Sequence, residues 1–371
     1  MNVINNLLFD FNKHEYMNNE VYITVGFRNG IALRDFAKSN NEKFVCNRAF
    51  GNVLFSYLKI TDEDFSFSYD VLRTSSIISC QCKTENFAKC IIYIIKRLFY
   101  HEYREEVFIK AKEKAKSNFE SRYKSEAFRA WYKALEITDS NKGFLLKEFL
   151  DDILSLDYET FIRCAKSILI PQNIYIYVNG NIVDFLDDDL ELVRNTIPIK
   201  DDFIAPTALR FDPYLRQDSH IVVLARENYN LSILYFDFLN LEVENLTKYL
   251  ILSTLSLALP FDNIEVAVDD FDSSLVFENE YLKPAKDILK SQLDEGGFYA
   301  AKNKLLVRYS HLLDKRPIIF GSEVVNLAMS DISYLELLSL IDRCTYDMYD
   351  EIYSKAQVKV SEAQIVFRKE M

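Results

Sequence analysis

The first half of the chain closes on Asn173-Ile-Tyr-Ile-Tyr-Val-Asn179, and Gly180 follows directly. The Ile, Tyr and Val residues favour a β-strand, and the glycine favours its end. A similar stretch, Ala363-Gln-Ile-Val-Phe-Arg368, closes the second half about 190 residues later. We therefore predict two strands that hold corresponding positions in two consecutive halves.

The rest of each half supports the same repeat. Val21–Phe27 and Ser75–Lys83 are predicted strands of the first half, and Ser219–Ala225 and Leu231–Phe236 are predicted strands of the second. Apolar spacing and capping residues predict helices that begin at Thr84, Gly143, Asp157, Val243, Lys283, Gly296 and Ser333. The order of strands and helices thus predicts two tandem halves that each mix a sheet with helices.

The segment 187–217 differs from both halves. It contains Pro198, Pro206 and Pro213 and mixed charges without a sustained hydrophobic period. We predict that it connects an N-terminal half, residues 1–186, to a C-terminal half, residues 218–371.

Composition limits the class of protein and its partners. The 371 residues are 49% hydrophobic and 27% charged, with a formal net charge of −12. This balance is typical of a globular protein, and the negative charge argues against a nucleic-acid partner. The N-terminus lacks the pattern of a signal peptide, and the most apolar stretch, 249–261, is too short to span a bilayer. We expect a cytoplasmic protein without membrane insertion.

The six cysteines are predicted to be reduced and structural. Cys80 and Cys82 fall in one predicted strand, and their side chains are predicted to point to opposite faces. On that basis we expect no cysteine metal site.

The order of elements, with the closing strand before Gly180, resembles the insulinase or pitrilysin-type metallopeptidase family. In that family each half is an antiparallel sheet packed with helices, and the halves enclose a chamber for unfolded peptides. The resemblance covers nearly the whole chain. It implies an α+β fold with two tandem homologous halves.

The stretch 25–37 contains the part of this resemblance that concerns chemistry. Active members place Gly-Ile-Ala before the zinc motif H-x-x-E-H, in which two histidines on one helix face hold the metal and the glutamate activates water. Gly30-Ile31-Ala32 occupies that place, but Leu33, Phe36 and Ala37 follow where the motif has His, Glu and His. The resemblance therefore implies a zinc slot without its ligands.

No other residues complete a zinc site, and without the two histidines the glutamates of the expected third-ligand region are interpreted as exposed helix charges. The four histidines, His14, His101, His220 and His311, include no pair four residues apart. In the region where the family has its third ligand, a glutamate, the chain has Glu105, Glu106 and Glu113.

Non-catalytic members usually supply an Arg and a Tyr seven residues apart in the second half. This chain has no Arg between Glu227 and Val307, and the adjacent Arg308 and Tyr309 are interpreted as structural. We also find no G-x-S-x-G, P-loop or dinucleotide motif. We therefore expect no catalytic, cofactor-binding or metal-binding residues, and no cofactor.

Three functions remain open. The first is a catalytically inactive peptidase-like subunit that pairs with a zinc-bearing relative to enclose small peptides, including antimicrobial peptides during bacteriocin maturation. The second is a stand-alone peptide-binding or scaffold protein in a biosynthetic complex, including a homodimer. The third is an enzyme of another class. The sequence leaves open whether the chain is an enzyme, and it favours a non-catalytic role for the chain on its own.

Overall fold

A computed structural model of the protein describes residues 2–4, 7–16, 19–37, 43–61, 65–138, 146–181, 187–198, 207–208, 218–236, 238, 243–261, 263–268, 273–279, 293–357 and 360–369. Through the first closing strand the elements are β1 Asn2–Ile4, β2 Leu7–Lys13, β3 Glu20–Phe27, β4 Asp35–Ala37, β5 Lys43–Val45, α1 Phe50–Thr61, β6 Phe67–Val71, β7 Ser76–Lys83, α2 Phe87–Phe99, α3 Glu105–Arg122, α4 Glu126–Thr138, α5 Leu146–Ser155, α6 Tyr158–Ile168 and β8 Ile174–Gly180.

The remaining elements follow the same alternation. They are α7 Asp187–Thr196, β9 Thr207–Ala208, β10 Ser219–Ala225, β11 Tyr229–Tyr235, α8 Asn245–Ser256, β12 Glu265–Val268, β13 Ser273–Glu278, α9 Glu295–Lys315, α10 Pro317–Met329, α11 Tyr334–Arg343, α12 Tyr346–Gln357 and β14 Ser361–Lys369. The two predicted closing strands are confirmed as β8 and β14.

Two predicted helix caps are confirmed. The Asp157 carboxylate accepts a hydrogen bond from the Thr160 N–H, 2.6 Å away, at the start of α6. Ser333 accepts from the Glu336 N–H in the same way at the start of α11. Each side chain satisfies an N–H group that the first turn of a helix leaves without a backbone partner.

The cap predicted at Thr84 is wrong. Residues Thr84–Asn86 form a 3₁₀ turn that precedes α2, and no side chain caps this turn. The Thr84 hydroxyl instead donates to the carbonyl oxygens of Asn19 and Asn181. The Thr84 hydroxyl, which the local sequence pattern assigned to a helix cap, therefore makes tertiary hydrogen bonds. The helix starts predicted at Gly143 and Lys283 lie outside the described residues.

The first compact unit contains residues 1–119, 147–209 and 311–329. Its six-stranded sheet has the order β1-β2-β8-β3-β7-β6, and every pair is antiparallel except β2 with β8. A smaller sheet has the order β5-β4-β9. The closing strand β8 thus enters the middle of the large sheet, where all seven of its residues are buried.

Helix α10 packs against the middle of this sheet, on β3 and β8. The helix approaches the sheet closely because each of them has a glycine at the contact. A Cβ added at Gly321 on the helix would overlap the Thr24 Oγ1 atom on β3, and one added at Gly26 would overlap Val325. Thr24 is itself only 1% exposed, so there is little room for it to move aside.

The second compact unit contains residues 120–146, 210–310 and 330–371. Its five-stranded sheet has the order β10-β14-β11-β13-β12, with one parallel pair, β10 with β14. Helix α4 packs on β11 and β14, and buries Ala130 and Ala134 against Ile233 and Ile365. Strands β10, β14, β11, β13 and β12 therefore repeat the pairing of β2, β8, β3, β7 and β6, which confirms the prediction of two tandem α+β halves.

The compact units do not follow the chain in two uninterrupted blocks. The first unit includes α10 from the C-terminal part of the chain, and the second includes α4 from the N-terminal part. The predicted halves, 1–186 and 218–371, are continuous in sequence and therefore differ from the compact units. The division of the chain into these two homologous halves stays a prediction. Hydrophobic periodicity shows which face of a helix is buried but not which sheet buries it.

Part of the segment predicted as a connection is regular structure. Residues Asp187–Thr196 form α7, in which Val193 is buried, and Ile197 is buried just after it. Thr207–Ala208 forms β9, which pairs with β4. Val193 and Ile197 are four residues apart, which is a helical spacing. The prolines and mixed charges around them favoured the prediction of a connection instead. Among the described helices, no single one is long and apolar enough to cross a membrane.

The contact between α10 and β3 yields a stability prediction. In Gly321→Ala the added methyl group meets a buried β-branched residue, so we expect a loss of about 1–3 kcal/mol despite the better helix propensity of alanine. Urea unfolding monitored by circular dichroism measures this loss. Gly296→Ala is the matched control, because the nearest atom to its Cβ is Asp294 Oδ1 at 3.7 Å. Equal stability of the two variants would contradict the close packing.

Candidate functional site

The slot predicted to replace the zinc motif, Leu33–Ala37, is not helical. Leu33 lies at the end of a turn, and Asp35–Ala37 forms strand β4, paired with β5 and β9. Leu33 is 3% exposed and Phe36 is fully buried, with its ring stacked on Phe44 at 5.1 Å. The side chains at positions 33 and 37 therefore do not share the helix face that a pair of zinc ligands uses.

The preceding Gly30-Ile31-Ala32 is held by the turn between β6 and β7. The Ile31 and Ala32 N–H groups donate to the carbonyl oxygens of Leu72 and Arg73. A Cβ at Gly30 would overlap the Arg73 backbone, so only glycine fits at this approach. The packing of two chain segments accounts for this glycine without reference to a metal motif.

The first helix after β3 is α1, Phe50–Thr61, and its sequence contains no His, Glu, Asp or Cys. Eight of its residues are buried, from Phe50 to Leu58. Its Phe55 ring contacts Tyr69 of β6 at 5.1 Å, and Gly51 lies against Val71 at the end of that strand. Helix α1 therefore lies along β6, one of the two edge strands of the six-stranded sheet.

Aromatic rings fill the space between α1 and the helices that pack on it. Phe161 of α6 contacts Phe50 and Tyr57 of α1 at 5.5 and 6.0 Å, and Phe108 of α3 at 5.1 Å. Tyr103 joins the same cluster at 5.3 Å from Tyr57. Such contacts bury large apolar areas and favour tilted ring pairs. The interior beside α1 is a packed core.

The glutamates of the expected third-ligand region do not face this core. Glu105, Glu106 and Glu113 lie on α3 and are exposed. The buried face of the same helix carries the apolar residues Val107, Phe108, Ala111, Ala115 and Phe119. Helical periodicity thus directs the three carboxylates to solvent.

The four histidines have different surroundings. His14 is 3.2 Å from Asp314, His220 is near Gln364, and His311 is exposed. The described residues contain no group of three or more His, Cys, Asp or Glu side chains that could hold a metal ion.

His101 lines an open groove of about 650 Å³ at the C-terminal end of α2. Burial and the nearby Arg97 and Arg104 lower the pKa of His101 to about 4. The ring is consequently neutral at pH 7. It packs edge-on against Tyr57 and Tyr103, so it belongs to the rim of the aromatic core.

The prediction for Cys80 and Cys82 is wrong, because residues two apart in a strand share one face. Both thiols hydrogen-bond the thiol of Cys90 on α2, and the Cys80 and Cys90 sulfur atoms are 3.2 Å apart. The hydrogen bond to Cys90 and burial raise the pKa of Cys82 far above its ordinary value. These hydrogen bonds join β7 to α2 through a cluster of three thiols.

The adjacent Arg308 and Tyr309 lie on α9 and differ in exposure. Tyr309 is 2% exposed, and its hydroxyl is 3.3 Å from the Tyr249 hydroxyl inside the second unit. Arg308 is exposed. The Arg308 guanidinium carbon lies 5.6 Å from the centre of the Tyr309 ring, whereas the Tyr309 hydroxyl faces Tyr249, so the two polar groups do not point to one place.

No protein-family model and no curated protein sequence matches the chain. Solved structures match it over nearly its full length. One is an M16-like peptidase of Alicyclobacillus acidocaldarius, with a TM-score of 0.74 and 12% identity over 99% of this chain and 97% of that one. Another is the inactive domain of a Pseudomonas fluorescens M16 peptidase, with a TM-score of 0.65 and 9% identity over 100% and 97% of the two chains.

A third match is a chain of complex III2 from Candida albicans, with a TM-score of 0.64 and 11% identity over 96% of this chain and 93% of that one. At these identities the matches establish the fold. The chain therefore has the fold of the insulinase or pitrilysin-type, M16-like peptidases.

Proposed function

We propose that this chain is a catalytically inactive, peptidase-like subunit that pairs with a zinc-bearing relative and helps to enclose small peptides. The observation that carries the proposal is the composition of α1, a buried helix without any His or Glu. A zinc peptidase needs two imidazoles on one helix face and a further carboxylate. Aromatic packing occupies the interior where those ligands would have to converge.

The alternative slot at Leu33–Ala37 supports the same conclusion. Leu33 ends a turn and only Asp35–Ala37 is a strand, so positions 33 and 37 lack the one-turn helical spacing that places two side chains on one face. Zinc ligands lie about 2 Å from the metal, so the H-x-x-E-H motif needs that shared face to bring both histidines to one ion. Both segments that could carry the motif thus lack the ligands or the conformation that zinc requires.

Peptide capture would use the exposed edge of the six-stranded sheet. Strand β6 is the edge strand opposite β1, and only β7 pairs with it among the described residues. Phe67, Tyr69 and Val71 are half-buried, while Ser68 and Asp70 are exposed. An added strand would gain main-chain hydrogen bonds with little dependence on its sequence. This property suits a chamber for varied small peptides, including antimicrobial peptides during maturation.

Pairing with another subunit follows from the incomplete site. In such a pair, a subunit without zinc still excludes water and folded proteins from the chamber while its partner cuts the peptide. The Candida albicans neighbour, a chain of complex III2, is itself part of a larger assembly. In this proposal residues 1–186 and 218–371 act as the two homologous halves, joined by 187–217, and the complex functions in the cytoplasm.

A second candidate is a stand-alone peptide-binding or scaffold protein. Two observations favour it. Tyr309 is buried, and the sequence has no Arg between Glu227 and Val307. The chain would then contribute no polar pair to a partner's active site. Peptide binding at β6 would be its function, without cleavage by a partner.

The decisive prediction concerns zinc dependence. The purified chain alone should not cleave unfolded peptides. Adding a co-purified relative that contains H-x-x-E-H should yield cleavage that a chelator abolishes and zinc restores. Fluorogenic peptides measure the rate. Zinc-dependent cleavage by the isolated chain would sink the proposal, and failure to co-purify with any zinc-bearing relative would favour the second candidate.

A second prediction concerns strand addition at β6. An unfolded peptide that is N-methylated at alternate amides along one edge should bind the chain at least about tenfold more weakly, because it loses several main-chain hydrogen bonds. Methylation along the opposite edge is the matched control and should leave affinity unchanged. Fluorescence anisotropy measures both. Equal affinity of the two peptides would exclude strand addition.

A third prediction tests whether the slot can be repaired. The triple variant Leu33→His, Phe36→Glu and Ala37→His should bind no stoichiometric zinc and cleave no peptide. It should also be destabilised by about 3–5 kcal/mol, because a buried phenylalanine is lost and polar groups are buried. Metal analysis and thermal unfolding are the measurements. Stoichiometric zinc in a folded variant would contradict the extended slot.

A further inference from the structure

Strand β10 is an unprotected edge of the five-stranded sheet. Among the described residues only β14 pairs with it. Its seven residues, Ser219–Ala225, include no Lys, Arg, Asp, Glu or Pro. Val222 is 57% and Leu224 is 66% exposed. Natural edges are usually protected by charges, prolines or short length, and β10 has none of these protections.

The other described edges differ from β10 in this respect. Strand β1 has three residues, β12 has four and begins at Glu265, and β6 contains the exposed Asp70. In the small sheet, β5 contains Lys43 and β9 has two residues. Strand β10 is therefore the edge that offers a long uncharged ladder to another strand.

The internal repeat indicates how such a strand would run. Strand β2 has the same place in the first sheet as β10 in the second, since each pairs in parallel with the closing strand of its half. On its outer side β2 pairs with β1, and this pairing is antiparallel. The corresponding position beside β10 thus suits an antiparallel strand.

We propose that the partner strand is β10 of a second copy of this chain, so that two five-stranded sheets join across a two-fold axis at Val222. In this register Val222 faces itself, and His220 faces Leu224 of the second copy. The exposed Asp218 then faces the exposed Arg226 of the second copy, at both ends of the pair. The apolar side chains meet at the centre, and opposite charges meet at the ends.

Charge selects this register over its neighbours. The neighbouring two-fold registers have the axis at Ile221 or Val223, and they would place Asp218 opposite Leu224 or Asn228. Neither pairs Asp218 with an opposite charge, and opposite-charge pairs stabilise two adjacent strands. Two copies repel each other overall, because each chain has a net charge of −12. An uncharged strand flanked by Asp218 and Arg226 is a place where two copies approach without that repulsion.

The first test is the oligomeric state in solution. Sedimentation velocity over a wide concentration range should show a dimer of the wild-type chain. Val222→Lys places two lysines on the axis and should raise the dimer dissociation constant about tenfold or more. The matched control is Leu335→Lys, since Leu335 is 62% exposed on α11 and distant in sequence from β10. A monomer at every concentration, or equal dissociation constants for the two variants, would overturn the proposal.

The second test fixes the register. Val222→Cys should form an intermolecular disulfide under mild oxidation, because directly opposed residues of antiparallel strands lie within the span of a disulfide. In Ser219→Cys the two new thiols would lie about 20 Å apart along the ladder, so this control should not cross-link. Non-reducing electrophoresis separates the outcomes, with the wild-type chain as the background for its own cysteines. Equal cross-linking of the two variants would exclude this register.

A charge exchange provides the third test. Asp218→Arg alone should weaken the dimer, because it places arginines opposite Arg226 of the second copy. Adding Arg226→Asp should restore the wild-type dissociation constant, since the opposite charges are exchanged but still meet. Asp218 also accepts a hydrogen bond from the Glu362 N–H, so a purely structural effect of its loss would persist in the double variant. Failure of the second substitution to restore the dimer would overturn the ionic contact.

Discussion

The insertion of the closing strand into the middle of each sheet is the constraint on which the rest of the structure depends. Strand β8 lies between β2 and β3, although helices α1 to α6 separate it from β3 in the chain. Strand β14 occupies the same place between β10 and β11. Each sheet is complete only when the last strand of its half has returned.

The same constraint decides what covers each sheet. Helix α10 packs on β3 and β8 within the first compact unit, and α4 packs on β11 and β14 within the second. Both helices therefore depend on a closing strand for part of their binding surface. The glycines at the contact between α10 and β3 allow a close approach, and buried area of this kind is the main contribution to stability.

The candidate site combines the peptidase fold with an apolar interior. Helix α1 lies along the edge strand β6, and aromatic side chains from α1, α3 and α6 fill the space behind it. A metal site in this interior would need polar ligands with satisfied outer contacts, whereas packed rings contribute stability without them. Strand addition at the edge of β6 does not depend on whether the interior holds a metal site or packed rings. Main-chain hydrogen-bonding groups do not require particular side chains. A peptide-binding role and the absence of zinc ligands are therefore compatible in one fold.

The sequence by itself determined the order and type of the principal strands and helices, the caps at Asp157 and Ser333, and the lack of an H-x-x-E-H motif. These features are local, since alternation, capping and motif spacing act over a few residues. Only the tertiary structure decided that residues 33–37 include a strand, that Cys80 and Cys82 share Cys90, and that part of 187–217 is helical. It alone also assigned α4 and α10 to compact units outside their own part of the chain and left β10 as an uncharged edge. These outcomes depend on which distant segments pair, and such pairing is set by the packing of the whole chain.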